Sequence, residues 1–391
     1  MTKLGSKRVW RWLKMALLVG AAGAACLLWF ESSETSNAQS PQFTPNAPAT
    51  NARYVGNAAC AECHQSKAKA HAASSMAQAL FAADDCEILK ANPLLKFRNG
   101  AWRYEIKRDG DRSLYTVSDG TNTFSTPVRW CFGRGHSGQT YVIERNGIYY
   151  ETRVSFFPSL KALDFTPGAP RNVPARVDDA LGQRLPQPDA LSCFGCHGTV
   201  APGAPRFQIE TFTPGIGCET CHGPGEKHIA TMKAAIKQAQ ATEAADKAIF
   251  NPRAMHPDEM SQQLCGACHR SWETVMQMPE RGGMSNVRFQ PYRITNSRCY
   301  KDPDDRRISC TACHDPHEDP KREAAFYDAK CTACHQTKNS PAAKTQTARP
   351  CPTGKAQCVT CHMPKIEPPD VHFKFTDHHI RVVKAGEPYP N

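Results

Sequence analysis

Between about residues 96 and 157 the chain alternates apolar and polar positions in short runs: WRYEI, SLYTV, TYVIE and IYYETRVSFF. Asp109-Gly110, Asp119-Gly120 and Asn146-Gly147 separate them. Period-two alternation broken by such dipeptides is a hairpin pattern. It predicts a small antiparallel β insertion over 96–157. Elsewhere the pattern is helical or irregular. SKAKAHAASSMAQALFAA predicts a helix ending near Asp84, and ATMKAAIKQAQATEAADKAIF (230–250) predicts the clearest helix of the chain. Residues 160–190 are Pro-rich, and Pro and Gly recur through the C-terminal half, so its other helices should be short. The expected fold class is mainly α, with short helices, long loops and one β insertion.

The N-terminus has a different pattern. Lys3, Lys7, Arg8, Arg11 and Lys14 precede an apolar run from Met15 to Phe30, and the polar stretch ESSETSNAQS follows. This is the layout of a secretory signal. Ser36 and Ala38 allow cleavage before Gln39, and a run of 16 apolar-rich residues is short for a committed membrane span. A retained membrane anchor and a lipid-modified Cys26 are the alternatives. All three place residues 39–391 in the periplasm or outside the cell. Residues 39–59, rich in Pro, Ala, Asn and Ser, read as a flexible leader.

Nineteen cysteines in 391 residues point to export, to bound metal, or to both. Their spacing narrows the choice. C-x-x-C-H occurs seven times: Cys60, Cys63, His64; Cys193, Cys196, His197; Cys218, Cys221, His222; Cys265, Cys268, His269; Cys310, Cys313, His314; Cys331, Cys334, His335; and Cys358, Cys361, His362. Two thiols one helical turn apart can reach the two vinyl groups of one haem, and the next histidine then falls beneath the iron as proximal ligand. Zinc knuckles use paired cysteines without requiring a histidine after each second one. A disulfide framework requires none. Seven covalently attached haem c groups are therefore expected. Cys86, Cys131, Cys299 and Cys351 lie outside the motifs and allow up to two disulfides, of undetermined connectivity.

Haem also accounts for the charge. The formal +11 would suit nucleic acid or an anionic membrane, but export makes nucleic acid a poor partner. Removing residues 1–38 takes away five basic and two acidic residues and leaves +8. Each ferric haem brings two propionates against one net positive charge at the metal, so seven contribute about −7. The Lys and Arg excess reads as propionate counter-charge. A porphyrin-filled interior also explains how a chain with little apolar material between its motifs can fold.

Eight histidines lie outside the motifs: His71, His136, His228, His256, His317, His372, His378 and His379. Seven irons with two imidazoles each would need seven of them. A histidine three residues after a proximal one lies on the same side of the same porphyrin. His317 after His314, and likewise His228 after His222, should therefore bind a neighbouring haem. Candidate distal ligands are His136, His228, His317 and His378, then His256 and His372. His71 and Met76 compete for one position, where a thioether would raise the potential. His379 reads as a spare beside His378.

GIGCETCHGPGEKH (215–228), CTACHDPH (310–317) and CHMPKIEPPDVHFKFTDHHI (361–380) resemble a multihaem cytochrome c superfamily. Its members include the tetrahaem electron acceptor of hydroxylamine oxidoreductase, that oxidoreductase, octahaem tetrathionate reductase and pentahaem nitrite reductase. GRGHSGQTYV (133–142) and SRCY (297–300) are similar to a subgroup related to the tetrahaem protein. The resemblance covers most of residues 54–382. It implies a mainly α, haem-dominated fold with stacked and perpendicular haem pairs, and distal roles for His136, His228, His317 and, through TDH, His378. Two departures matter: all seven attachment motifs end in histidine, where the nitrite reductases usually carry one lysine, and the octahaem enzymes have one site more.

The expected organisation is a signal or N-terminal anchor (1–38), a leader (39–59), a first haem segment (60–95), the β-rich insertion (96–157) and a six-haem domain (158–391). The leading functional expectation is an electron carrier of mostly bis-histidine haems between other redox proteins, with membrane association through the N-terminus if it is retained. The alternative is a reductase or oxidase of a small nitrogen or sulfur compound (nitrite, hydroxylamine or tetrathionate) at one five-coordinate haem.

Overall fold

The computed structural model describes residues 52–200, 212–239, 243–278, 282–300, 307–335, 351–352, 354 and 356–390. The signal, Cys26 and most of the leader lie outside the described residues. Among these residues no helix is long and apolar enough to cross a membrane.

An eight-stranded antiparallel sheet dominates the N-terminal half. Its strands are β1 (Leu80–Ala82), β2 (Leu94–Asn99), β3 (Trp102–Asp109), β4 (Arg112–Ser118), β5 (Thr123–Phe132), β6 (Thr140–Arg145), β7 (Ile148–Thr152) and β10 (Gly182–Leu185). The spatial order is β10-β7-β6-β5-β4-β3-β2. Strand β5 is long enough to pair along one edge first with β4, from Thr123 to Pro127, and then with β1, from Trp130 to Phe132. An irregularity between Val128 and Trp130 breaks its register with β6, and such a bulge sharpens local twist. A separate hairpin, β8 (Val154–Phe157) and β9 (Ala162–Phe165), follows.

Alternation defines the core. Trp102, Tyr104 and Ile106 of β3 and Tyr115 and Val117 of β4 are buried, while Arg103 and Lys107 face solvent. The inward face joins Cys86, Leu89, Cys131, Tyr141, Ile143 and Leu181 in the largest apolar cluster. The Pro-rich segment after β9 straps this face, with Trp102 Nε1 donating to Pro174 O at 2.8 Å and Tyr115 Oη to Leu181 O at 3.2 Å.

The expectation of a mainly α fold is corrected. The described residues are 37% helix and 22% strand, and the sheet is the largest single element. Strands extend from Leu80 to Leu185, well beyond 96–157. The Ala-rich stretch forms a helix only over Gln65–Ala72 before the chain enters β1. The stretch 230–250 divides into Glu226–Lys237 and Glu243–Asp246. Twelve residues is the longest described helix, reached there and at Ala324–His335.

Arg153 holds the strap in place. Only 4% exposed, it donates from Nη1 to Asp179 O at 3.1 Å, and from Nη2 to Asn172 O at 2.6 Å and to Pro170 O. Removing the guanidinium strands buried carbonyls, which cost about 1–3 kcal/mol each when unpaired. Arg153→Met is expected to destabilise the protein by roughly 3 kcal/mol, read as a lower denaturation midpoint by tryptophan fluorescence.

Candidate haem sites

All seven C-x-x-C-H units lie on or at the end of helical turns. The spacing of three puts both thiols on one side of the turn. His197 and His335 close the helices Gln187–His197 and Ala324–His335, while Cys218–His222 and Cys358–His362 are each a single short helix.

Such short helices are marginal alone, and here they are capped by one another. Beside the first motif, Asn57 Oδ1 accepts from Cys218 N at 2.9 Å, starting the third-motif helix. In return the Glu219 carboxylate, 3% exposed, accepts from Val55 N, Gly56 N and Gly225 N at 2.8–2.9 Å. The Cys60 and Cys218 thiols touch. Asp328, on the helix that ends in the sixth motif, accepts from Gln357 N at 2.8 Å and Cys358 N at 2.9 Å at the start of the seventh. Those amides hold its carboxyl below the usual range. Thiol contacts also join Cys196 to Cys268 and Cys265 to Cys310. The motifs thus pack as pairs: one with three, two with four, four with five, six with seven.

The histidine rings supply the decisive geometry. Two imidazoles bound to one iron from opposite faces put their ring centres about 6.3 Å apart, since each metal–nitrogen bond is about 2 Å and each ligating nitrogen sits about 1.2 Å from its ring centre. His64 and His228 have ring centres 6.3 Å apart at 19° between planes. His222 and His317 stand at 6.2 Å and 13°. His314 and His378 stand at 6.2 Å and 43°. These separations are too long for ring stacking and match an intervening iron. A pair on one axis also suits a metal whose other positions are filled by a macrocycle.

Tautomers agree with that geometry. His222 Nδ1 lies 3.1 Å from Phe250 O, His228 Nδ1 2.7 Å from Ala245 O, and His378 Nδ1 3.0 Å from Thr376 O. A carbonyl can only accept, so Nδ1 carries the proton and Nε2 is left to bind metal. His197 and His362 make the same contact, with Ala79 O at 3.1 Å and Arg381 O at 2.8 Å. Desolvation and then the facing His314 push His378 down to about 4, so it is neutral at pH 7, the metal-binding form. His317 differs: its Nδ1 lies 2.9 Å from Asp315 Oδ1, and the other Asp315 oxygen accepts from Lys67 at 2.9 Å.

The segment bearing His378, just after the two-residue strand Phe375–Thr376, is locked by the fully buried pair Arg293 and Asp377. Arg293 donates from Nε and Nη2 to Asp377 at 2.9 and 3.0 Å, and its guanidinium stacks on Tyr389 at 4.6 Å. Desolvation acts to raise the Asp377 carboxyl, and its bonds to Arg293 and His379 N outweigh that and hold it low.

The remaining candidates are placed differently. His372 Nε2 is 2.7 Å from Asp164 Oδ2, with its ring edge-on to Phe157 at 4.8 Å, so it fastens the C-terminal segment to the β8–β9 hairpin. His71 Nε2 is 2.7 Å from Ile216 O, and its Nδ1 is buried without a partner. Met76, partly buried, accepts from Ile216 N at 3.0 Å through its carbonyl. His136 is exposed in the loop from β5 to β6, and His256 is exposed just before a short helix. His379 Nδ1 faces Arg293 Nη2 at 3.5 Å. His197 meets Phe132 edge-on at 5.0 Å. Sequence reasoning missed Asn57, Glu219, Asp315 and Asp328. The acidic residue inside CETCH and the DPH after the fifth motif were the available signals.

Residues 177–223 match the family model described as cytochrome c554 and c-prime. That stretch contains the second and third motifs. Together with the repeated motif, this match supports a multihaem c-type cytochrome. Among solved structures, the crystal structure of the outer cell wall cytochrome OcwA is similar over 84% of this chain and 80% of that one, at 16% identity and a TM-score of 0.39. No curated protein matches.

With His317 as an iron ligand, the Asp315 carboxylate would make it a stronger donor and so favour the ferric state. Asp315→Asn keeps the shape and removes the charge. One haem is expected to rise in midpoint potential by about 60 mV, a tenfold change in one-electron preference, measured by spectroelectrochemical titration, while the others stay in place.

Proposed function

We propose that this chain is an exported heptahaem c-type cytochrome that relays electrons between redox partners, within the superfamily of the tetrahaem electron acceptor of hydroxylamine oxidoreductase. The observation that carries the reading is the three histidine pairs at 6.2–6.3 Å. Each joins a motif histidine to a histidine from elsewhere in the chain. His228, His317 and His378 are the distal ligands of the first, third and fifth haems, and the fourteen motif cysteines form the thioethers.

When bound, haem c supplies a one-electron iron couple. Paired imidazoles of this chain would hold three of the irons, the first, third and fifth, with their tautomers fixed through carbonyls and Asp315. Six-coordinate sites of this kind pass electrons and leave no position for substrate. The grouping of the motifs, one with three, two with four and five, and six with seven, supports electron exchange within each group.

One observation favours a second reading. His372 is engaged by Asp164, and if it is withdrawn from the ligand set, one iron could stay open to nitrite, hydroxylamine or tetrathionate.

Low-temperature electron paramagnetic resonance of the oxidised protein separates the two. The relay predicts low-spin signals alone, unchanged by nitrite or hydroxylamine. A stoichiometric high-spin signal perturbed by either would move the conclusion to the enzyme. In His317→Ala, one high-spin centre per chain that binds carbon monoxide when reduced is expected. Its absence would remove the assignment of His317. Haem assay should return seven per chain.

A further inference from the structure

Two of the cysteines outside the haem motifs meet in the core of the sheet. Cys86, 2% exposed, begins the helix Glu87–Ala91, and Cys131, 0% exposed, lies near the end of β5, opposite Phe81 on β1 and Tyr141 on β6. Their thiols touch. Both belong to the largest apolar cluster, with Ala83, Leu89 and Tyr141 around them. Cys86 Sγ also donates to Gln139 Oε1 at 2.9 Å, and Gln139 Nε2 is held by Gly133 O at 2.9 Å, so the amide orientation is fixed. No haem attachment uses either sulfur, and the chain between them carries β2, β3 and β4.

We propose that Cys86 and Cys131 form a disulfide in the mature protein, fastening the segment that leaves the first haem motif to the central strand of the sheet. Two S–H bonds break and one S–S bond forms, releasing two protons and two electrons. The electrons pass to a dithiol–disulfide exchange oxidant of the exporting compartment: one Cys thiolate attacks the oxidant's disulfide to form a mixed disulfide and release one oxidant thiolate, and the second Cys thiolate then attacks the first cysteine's sulfur, forming the Cys86–Cys131 bond and releasing the oxidant as its reduced dithiol. Both sulfurs are sealed once the sheet closes, so exchange precedes closure, and the finished bond is shielded from reductant. The proposal rests on the export reading of the preceding subsection. It goes beyond that reading by choosing one pairing among four cysteines.

The test is a peptide map of the haem-loaded holoprotein, denatured without reductant in the presence of an alkylating agent. The expected result is a linked pair of peptides bearing Cys86 and Cys131, lighter by two hydrogens than the free thiols and separated by reduction. Alkylation of both cysteines, or a link from either one to Cys299 or Cys351, overturns it. Haem content and the N-terminus of the same sample report on export separately. A haem-free, unprocessed chain with free thiols would count against both readings, whereas a haem-loaded, processed chain with free thiols overturns the disulfide alone. In Cys86→Ser with Cys131→Ser the linked peptide disappears, and the thermal midpoint is expected to fall with all haems retained.

Discussion

An iron held in a macrocycle has two open sides, and one attachment motif can reach only one of them. Everything distinctive in the C-terminal half follows from that constraint. On the proposed reading the second imidazole comes from another part of the chain: His228 returns to face His64 across more than a hundred and sixty residues, and His378 comes back to face His314. Each histidine pair is thus also a long-range tertiary contact. The ring nitrogens reinforce it, because Ala245, Phe250 and Thr376 carbonyls bind Nδ1 and leave Nε2 unprotonated. One set of hydrogen bonds fixes protonation, ring rotation and chain path together.

That arrangement explains where the apolar side chains are and are not. The two larger clusters sit in or against the sheet, and the third contains only Val275, Phe289 and Tyr292 with two methionines beside them. A protein half with so few aliphatic contacts needs other means of order. It uses polar caps shared between motifs, the Asn57 and Glu219 exchange and the Asp328 bridge, and one fully buried ion pair, Arg293 with Asp377. Breaking a buried pair of this kind is costly because the remaining charge has no water to turn to. Its place beside His378 therefore converts stability into ligand position.

Local spacing was legible and distant pairing was not. C-x-x-C-H encodes a helical turn within five residues, so the motifs could be read directly, and the geometry of CHDPH already required His317 to leave its own haem. The structure faces His317 with His222. The extent of the sheet could not be read the same way. Strand β1 is three residues at the end of an Ala-rich stretch, and β10 is GQRL in a Pro-rich region. Both become strands only because β5 and β7 offer free edges. Counting hairpin signals alone therefore undersized the sheet and made the chain look mainly α. His372 was equally opaque, since Asp164 lies more than two hundred residues away.

The sheet is not an accessory laid over finished haem sites. Phe194, inside the second attachment motif, is completely buried among Leu80, Val142, Leu185 and Phe212, with Trp130, Phe132 and Tyr149 around it. Phe132 also sets its ring against His197 at 5.0 Å, and His197 Nδ1 reaches Ala79 O immediately before β1. One face of the sheet thus packs against the second motif, while His372 and Asp370 tie the C-terminal segment to Asp164 of the β8–β9 hairpin and to Arg171 after it. A sheet so bonded cannot separate from the motif-bearing segments without exposing Phe194 and releasing His197. The residues that most resemble an insertion in the sequence are, in the folded protein, part of the frame that positions His197.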